Sequence, residues 1–352
     1  MPESLRDNFN QVLPTLGKLS DKLNPETKIY RTIDFFSVAQ AVESGELRLT
    51  RMADFNDKNE GVDRLVRALI SSVFGDLIAG GSELSDSETA EKLILDERRC
   101  RFVSCWSSTA ESHAMWSMYS PDQCSVRLQT TVGRLHELGM SALSESWKGY
   151  SIEEVADPVR VINAVDVDPV EYVDVHWLLK RLARRKALAV RLLKRTEWTN
   201  DLLQAATVRH TATRWRPYLE AAFLKGEAYQ YESEIRLTLK RSWTPHQGFR
   251  EMIKGEMERN IQFHADHPTL KRSGFPIVKD RLGELRSATD ETELFLKMPR
   301  DFIQSICVDP RAATYKKGFI ERYFEQRGIA ICQSRSFSTA YLNLSNYPNR
   351  LI

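Results

Sequence analysis

Short stretches in which apolar and polar residues alternate recur along this chain at uneven intervals, and that irregular spacing is what most limits how it can fold. KIYRT, ELRLT, CRFVSCWS, QCSVRLQT, PVRVINAVDV, ELFLKM, SICVDP and GIAICQS each read as a strand. Helical patterns separate some of them, but not one per strand as a wound parallel sheet requires. Asp34 can cap a helix that runs through Ser44, with Gly45 ending it; TAESHAMWSMY reads as a short helix and Ala312 to Gln326 as another. Further helices are expected from Val62 to Ile78, Asp86 to Arg99 and Phe249 to Gln262. The expectation is an α+β fold, a mixed, mostly antiparallel and strongly curved sheet wrapped by helices. Residues 1–27, interrupted at Pro14 and ending at Asn24-Pro25, read as a peripheral helical arm. Residues 28–352 then form one domain with a helical insertion at about 168–225.

One strand-like run, YQYESEIRLTLK from Tyr229 to Lys240, carries Glu232 and Glu234 two residues apart. Side chains alternate across a strand, so Tyr229, Tyr231, Ile235, Leu237 and Leu239 make an apolar face. Gln230, Glu232, Glu234, Arg236, Thr238 and Lys240 make the polar one. A solvated polar face explains such alternation in any half-buried strand. Placed in a cleft, the same two carboxylates would repel, and one would become a perturbed acid. Arg236 offers a third outcome, a structural ion pair with Glu234.

Composition narrows the class of protein. With 42% hydrophobic and 28% charged residues, 16 Gly and 13 Pro, the chain is neither disordered nor fibrous. No apolar run approaches the ~20 residues of a membrane span, and MPESLRDNFN lacks a basic region followed by an apolar core, so a cytoplasmic protein with no membrane partner is expected. Cys100, Cys105, Cys124, Cys307 and Cys332 are odd in number and scattered, which suits reduced core residues better than a disulfide framework. Cys100 and Cys105 are too widely spaced for a two-residue metal knuckle and lack a His pair, so no metal is expected.

Charge is nearly balanced over the whole chain at +2, yet it is unevenly distributed. Between Lys180 and Arg195 stand eight basic residues and no acidic one: Lys180, Arg181, Arg184, Arg185, Lys186, Arg191, Lys194 and Arg195. At helical spacing Leu179, Leu182, Ala183, Val190 and Leu193 gather opposite most of them. A solvated amphipathic helix accounts for this pattern, and so does a surface that tracks the phosphates of RNA or DNA through Arg181, Arg184, Arg185, Arg191 and Arg195. His176, Trp177, His210 and Trp215 lie nearby, where core packing is expected ahead of base stacking.

Several separated pieces together resemble domain-of-unknown-function family twenty-nine seventy-one, a bacterial and phage group related to AbiGi-type abortive-infection proteins. They are Tyr30-Arg31, Gly45, Asn56-Asp57 with Glu60, FVSCWS, and Met115-Trp116 followed by Tyr119. Lys225, Tyr229, Tyr231, Glu232, Glu234 and Arg236 then follow in the family's order, and SICVDPRA also fits. The match runs from about Lys28 to about Gln333; it departs at Asp122-Gln123-Cys124, where the family has Gly, and at the basic helical stretch. The same marks are similar to the Arg, Ser and Glu-x-Glu set of the ADP-ribosyltransferase superfamily.

That similarity implies NAD as substrate, with no metal. Arg31 would hold a phosphate or ribose through its fork of donors, Ser104 or Ser107 would hydrogen-bond the ribose and orient the catalytic Glu, Trp116 and Tyr119 would stack on the nicotinamide, and Tyr30 would also bind the cofactor. Glu234 would be the catalytic carboxylate, steadying an oxocarbenium-like ribose, and Glu232 would orient or deprotonate the acceptor. A toxin or phage-defence effector is implied, acting on a protein or nucleic acid and restrained by an antitoxin or chaperone. A nucleic-acid-binding or nucleolytic defence protein that uses the basic helix, with carboxylates that bind a metal, and a non-catalytic interaction module are the competing expectations. Core packing of Trp116 and Tyr119 and turn formation by Asn56-Asp57 need no ligand.

Overall fold

The computed structural model describes residues 16–55, 98–148, 160–174, 176, 177, 180, 184, 223–243 and 291–337. Their strands and helices run in the order β1 (Gly17–Leu19), β2 (Lys28–Asp34), α1 (Phe35–Ser44), β3 (Glu46–Arg51), β4 (Arg101–Ser107), α2 (His113–Tyr119), β5 (Ser125–Thr131), α3 (Val132–Ser146) and β6 (Arg160–Pro169). Then come β7 (Glu171–Val173), β8 (Leu224–Gly226), a 3-10 turn (Glu227–Glu232), β9 (Glu234–Trp243), β10 (Glu293–Lys297), β11 (Ser305–Val308), α4 (Thr314–Glu325) and β12 (Ala330–Cys332). Ten strands join one open, mixed sheet in the order β1-β6-β9-β4-β2-β5-β11-β12, with β3 attached to β4 and β10 to β3. Its pairs are antiparallel except β1 with β6 and β11 with β12. This matches the mixed, mostly antiparallel sheet expected from the spacing of the strands.

Local chemistry sets the element ends. Asp34 accepts a hydrogen bond from the Ser37 amide at 3.0 Å and so caps α1, and Gly45 closes it at φ 69, a left-handed conformation that carries little steric cost without a Cβ. Helix α3, which the strand-by-strand pattern did not single out, is capped by Thr131 and buries Leu135, Leu138, Gly139 and Leu143. A Cβ at Gly139 would stand 2.6 Å from Val165 Cγ1 and 3.0 Å from Leu237 Cδ1, so the helix lies close against β6 and β9. Ile29, Leu128, Val165, Val167, Ile235, Leu237, Leu239 and Ile306 supply the sheet side of this core.

Three expectations are corrected. Gly17–Leu19, placed in the helical arm, is a strand parallel to β6. The ends of the supposed helical insertion are β7 and β8, which pair with each other in a small parallel sheet. The carboxylate strand begins only at Glu234, because Glu227–Glu232 coils into a 3-10 turn and Ser233 adopts φ 44. The helices expected at Val62 to Ile78 and Phe249 to Gln262 lie outside the described residues, as does nearly all of the one expected from Asp86 to Arg99.

Candidate active site

Residues opposite one another on neighbouring strands project to the same face of a sheet, so the register assigns each side chain a side. Tyr30 on β2 faces Ser107 on β4, and Ser107 faces Glu234 on β9. These three therefore form a row across the face opposite the Leu237 and Leu239 core. Arg31 is opposite Leu128, and Ser104 is opposite Leu237, on the core face. Arg31 Nη1 donates to Ser104 Oγ at 3.1 Å, and Trp106 Nε1 donates to the same oxygen at 2.9 Å. The expectation that Arg31, a serine and the glutamates share one cavity fails for Arg31 and Ser104, because neighbouring positions on a strand point in opposite directions, and neither glutamate lines the pocket that Ser107 does.

The sheet therefore separates two environments. On its core face the Arg31 guanidinium lines a groove of about 470 Å³ under α1, beside Ile33, Val38, Leu47 and Phe295. Burial lowers its pKa, and among the described residues no carboxylate pairs with it. On the opposite face Tyr30, Ser107, Met115, Trp116 and Arg127 line a smaller pocket of about 230 Å³. Trp116 is only 1% exposed and packs as a core residue, whereas Tyr119 is 42% exposed.

Glu232 and Glu234 meet at that second face even though they do not share a strand. Glu232 closes the 3-10 turn, and the left-handed Ser233 turns the chain so that Glu234 can open β9. Lys225 on β8 reaches both: its Nζ donates to Glu232 Oε2 at 2.7 Å and to Glu234 Oε2 at 3.3 Å. Arg236 grips Glu234 through Nε to Oε1 at 2.7 Å and Nη2 to Oε2 at 3.0 Å. Tyr119 donates to Glu232 Oε1 at 3.1 Å, Ser107 Oγ donates to the Glu232 carbonyl at 2.6 Å, and the Glu234 amide donates to Tyr172 Oη at 2.8 Å.

All four charged groups are buried, Glu232 and Glu234 at 4% exposure, Lys225 at 5% and Arg236 at 0%. The expected solvated face is thus a closed network, a consequence of Lys225 and Arg236 supplying one cation for each carboxylate. The two acids nevertheless differ. Burial raises Glu232, and the hydrogen bond and charge of Lys225 only partly offset it while the Glu234 charge adds to it. Burial acts the same way on Glu234, but the Arg236 guanidinium outweighs it and, with Lys225, holds that carboxyl at about 2. Burial and the Glu232 charge push the Tyr119 hydroxyl well above its ordinary range, so it stays a donor.

Lys225 was placed in the family's order by sequence but given no role there, and Tyr172 was missed; both stand on β7 and β8, which pair with each other in the small parallel sheet. Of the basic stretch, Lys180 and Arg184 are exposed, and Arg181, Arg185, Arg191 and Arg195 lie outside the described residues. Trp177, expected in a core, is 53% exposed. Asn56, Asp57 and Glu60 also lie outside the described residues. Among the described residues, no group of three or more His, Cys, Asp or Glu is placed to hold a metal ion, and no helix is long and apolar enough to cross a membrane. No protein-family model matches the chain, nor does a curated protein or a solved structure.

Proposed function

We propose that this chain is an NAD-using enzyme that breaks the bond between nicotinamide and ribose and passes the ribosyl group to water or to a macromolecular acceptor. The observation that carries the proposal is the pair of buried carboxylates joined by Lys225, one whose pKa burial raises and the other held ionised. Environments that drive two neighbouring acids apart suit a reaction needing both a proton carrier and a fixed charge. Cleavage of an N-ribosyl bond develops positive charge on the ribose, and attack at its C1′ releases a proton from the incoming hydroxyl. Glu232 takes that proton. Glu234, fully engaged by Arg236 and Lys225, stays ionised and keeps the Lys225 ammonium in place.

The resemblance to the ADP-ribosyltransferase superfamily, and to the phage-defence group within which its marks were recognised, supports NAD as the substrate. An open, mostly antiparallel sheet with a carboxylate pair beside a central strand is compatible with that fold. The proposal keeps Tyr30, Ser107, Tyr119 and Glu232, moves Glu234 from steadying the ribose to positioning Lys225, and assigns Arg31 and Ser104 no contact with the reacting atoms. Incubating the purified chain with NAD and separating the products by chromatography tests it. Nicotinamide should accumulate in proportion to protein; none released with water, protein or RNA as acceptor would overturn the proposal.

A further inference from the structure

At the other end of the same face two cysteines stand side by side. Cys307 on β11 is directly opposite Cys332 on β12 in a parallel pair, and Cys307 is opposite Arg127 on β5. Adjacent strands lie ~4.8 Å apart, inside the roughly 4.4–6.8 Å Cα separation that a disulfide accepts. Both cysteines are reduced, Cys307 buried and Cys332 half-buried. Arg127 brings a guanidinium to one sulfur, with Nη2 3.9 Å from Cys332 Sγ, and its Nη1 pairs with Glu111 at 3.0 Å.

We propose that Cys307 and Cys332 form a peroxide-reactive dithiol, with Cys332 the attacking thiolate and Cys307 the resolving thiol. A hydrogen bond from the neighbouring Cys307, whose sulfur also reaches the Val308 carbonyl at 3.6 Å, and the Arg127 charge together lower the Cys332 pKa to about 6 against the upward pull of burial. The same hydrogen bond and burial raise Cys307, which keeps its proton. A thiolate that is partly accessible and flanked by a second thiol is the arrangement that oxidises selectively and reversibly.

The chemistry balances with hydrogen peroxide as oxidant. The Cys332 thiolate attacks one peroxide oxygen, the O–O bond breaks, and hydroxide leaves a sulfenic acid on Cys332. Cys307 sulfur then attacks the Cys332 sulfur, the S–O bond breaks, and the Cys307 proton leaves with the hydroxyl as water. The proton that Cys332 gave up on ionising converts the hydroxide to water, so in sum two thiols lose two electrons and the peroxide becomes two waters. Forming the disulfide removes a negative charge beside Arg127, whose guanidinium lies 5.2 Å from the Tyr30 ring and 5.9 Å from Trp116, in the wall of the smaller pocket. This site does not depend on the two glutamates or on NAD.

The full chain, treated with a small excess of hydrogen peroxide and then alkylated and mapped by mass spectrometry, tests the proposal. The expected product is lighter by two hydrogens, joins the peptides of Cys307 and Cys332, and reverts with dithiothreitol. Cys307→Ser should instead stop at a Cys332 sulfenic acid trapped by dimedone. Should the buried substitution unfold the chain, the pH dependence of alkylation in the wild type serves as the second measurement, with Cys332 reacting through a midpoint near 6. Joined peptides from any other pair, oxidation of Cys105 or Cys124 ahead of Cys332, or an ordinary thiol midpoint at Cys332 would overturn it.

Discussion

Glu232 and Glu234 share the Lys225 ammonium, at 2.7 Å and 3.3 Å, although one ends a 3-10 turn and the other begins a strand. Their unequal partners make them unequal in energy. Glu234 pairs with Arg236, which is fully buried, so Glu234→Gln takes away the carboxylate that this guanidinium grips through two nitrogens. Breaking one side of a buried pair costs about 3–5 kcal/mol. Glu232→Gln leaves Lys225 with Glu234 and removes an acid that burial already disfavours as an anion. Chemical denaturation should therefore show a large loss for Glu234→Gln and a small change for Glu232→Gln.

The same inequality predicts opposite responses to pH. Glu234 and Glu111 are both held near 2, below the ordinary carboxylate value of 4.5. Their contribution to stability is fully present above about pH 4.5 and is lost as pH falls from there toward 2. Glu232 has the reverse sign, since its folded pKa is raised: its contribution is complete below the ordinary value and fades as pH rises through the folded one. Denaturation midpoints measured against pH should fall steeply on the acid side in the wild type and less steeply in Glu234→Gln. As a base Glu232 must be ionised, so nicotinamide release should rise with pH along a limb displaced upward from the ordinary carboxylate range.

Arg31 separates the sheet's two faces experimentally. Its guanidinium bonds Ser104 on the core face, away from the row of Tyr30, Ser107 and Glu234. Arg31→Met keeps the length of the side chain and removes a desolvated charge that lines an otherwise largely apolar groove. The substitution should leave both the rate of nicotinamide release and the denaturation midpoint close to wild type. A large loss of rate with the fold retained would return Arg31 to the reacting centre.

Packing of α3 gives a prediction that needs no function. Gly139 leaves 2.6 Å between an added Cβ and Val165 Cγ1, so Gly139→Ala must displace the Val165 side chain or the helix itself. Overpacking of this kind costs about 1–3 kcal/mol, readable as a lower thermal midpoint.

Much of the sheet was legible in the sequence because its strands alternate and its helices carry their caps. Asp34 and Gly45 bracket α1 as their chemistry requires, and the strands at Lys28–Asp34, Arg101–Ser107 and Ser305–Val308 follow their apolar patterns. The start of β9 was not legible: tyrosines at Tyr229 and Tyr231 continue the alternation, and nothing in Ser233 announces a left-handed residue. The site was half legible for a related reason. Register fixes which of two adjacent residues faces a cavity, and register depends on strands far apart in the chain, so Tyr30 rather than Arg31 came to lie beside Ser107. Lys225 could be ordered along the chain but not given a partner before β7 and β8 were seen to pair.

The most direct measurement is the initial rate of nicotinamide release from NAD by the wild type and by Glu232→Gln, at neutral pH and with folding of both checked by circular dichroism. Loss of a general base typically costs 10²- to 10⁴-fold, so the variant should fall by at least about a hundredfold while keeping its fold. Equal rates in the two proteins would contradict the assignment of Glu232 as the proton carrier, and with it the account of why this buried acid is kept beside Lys225.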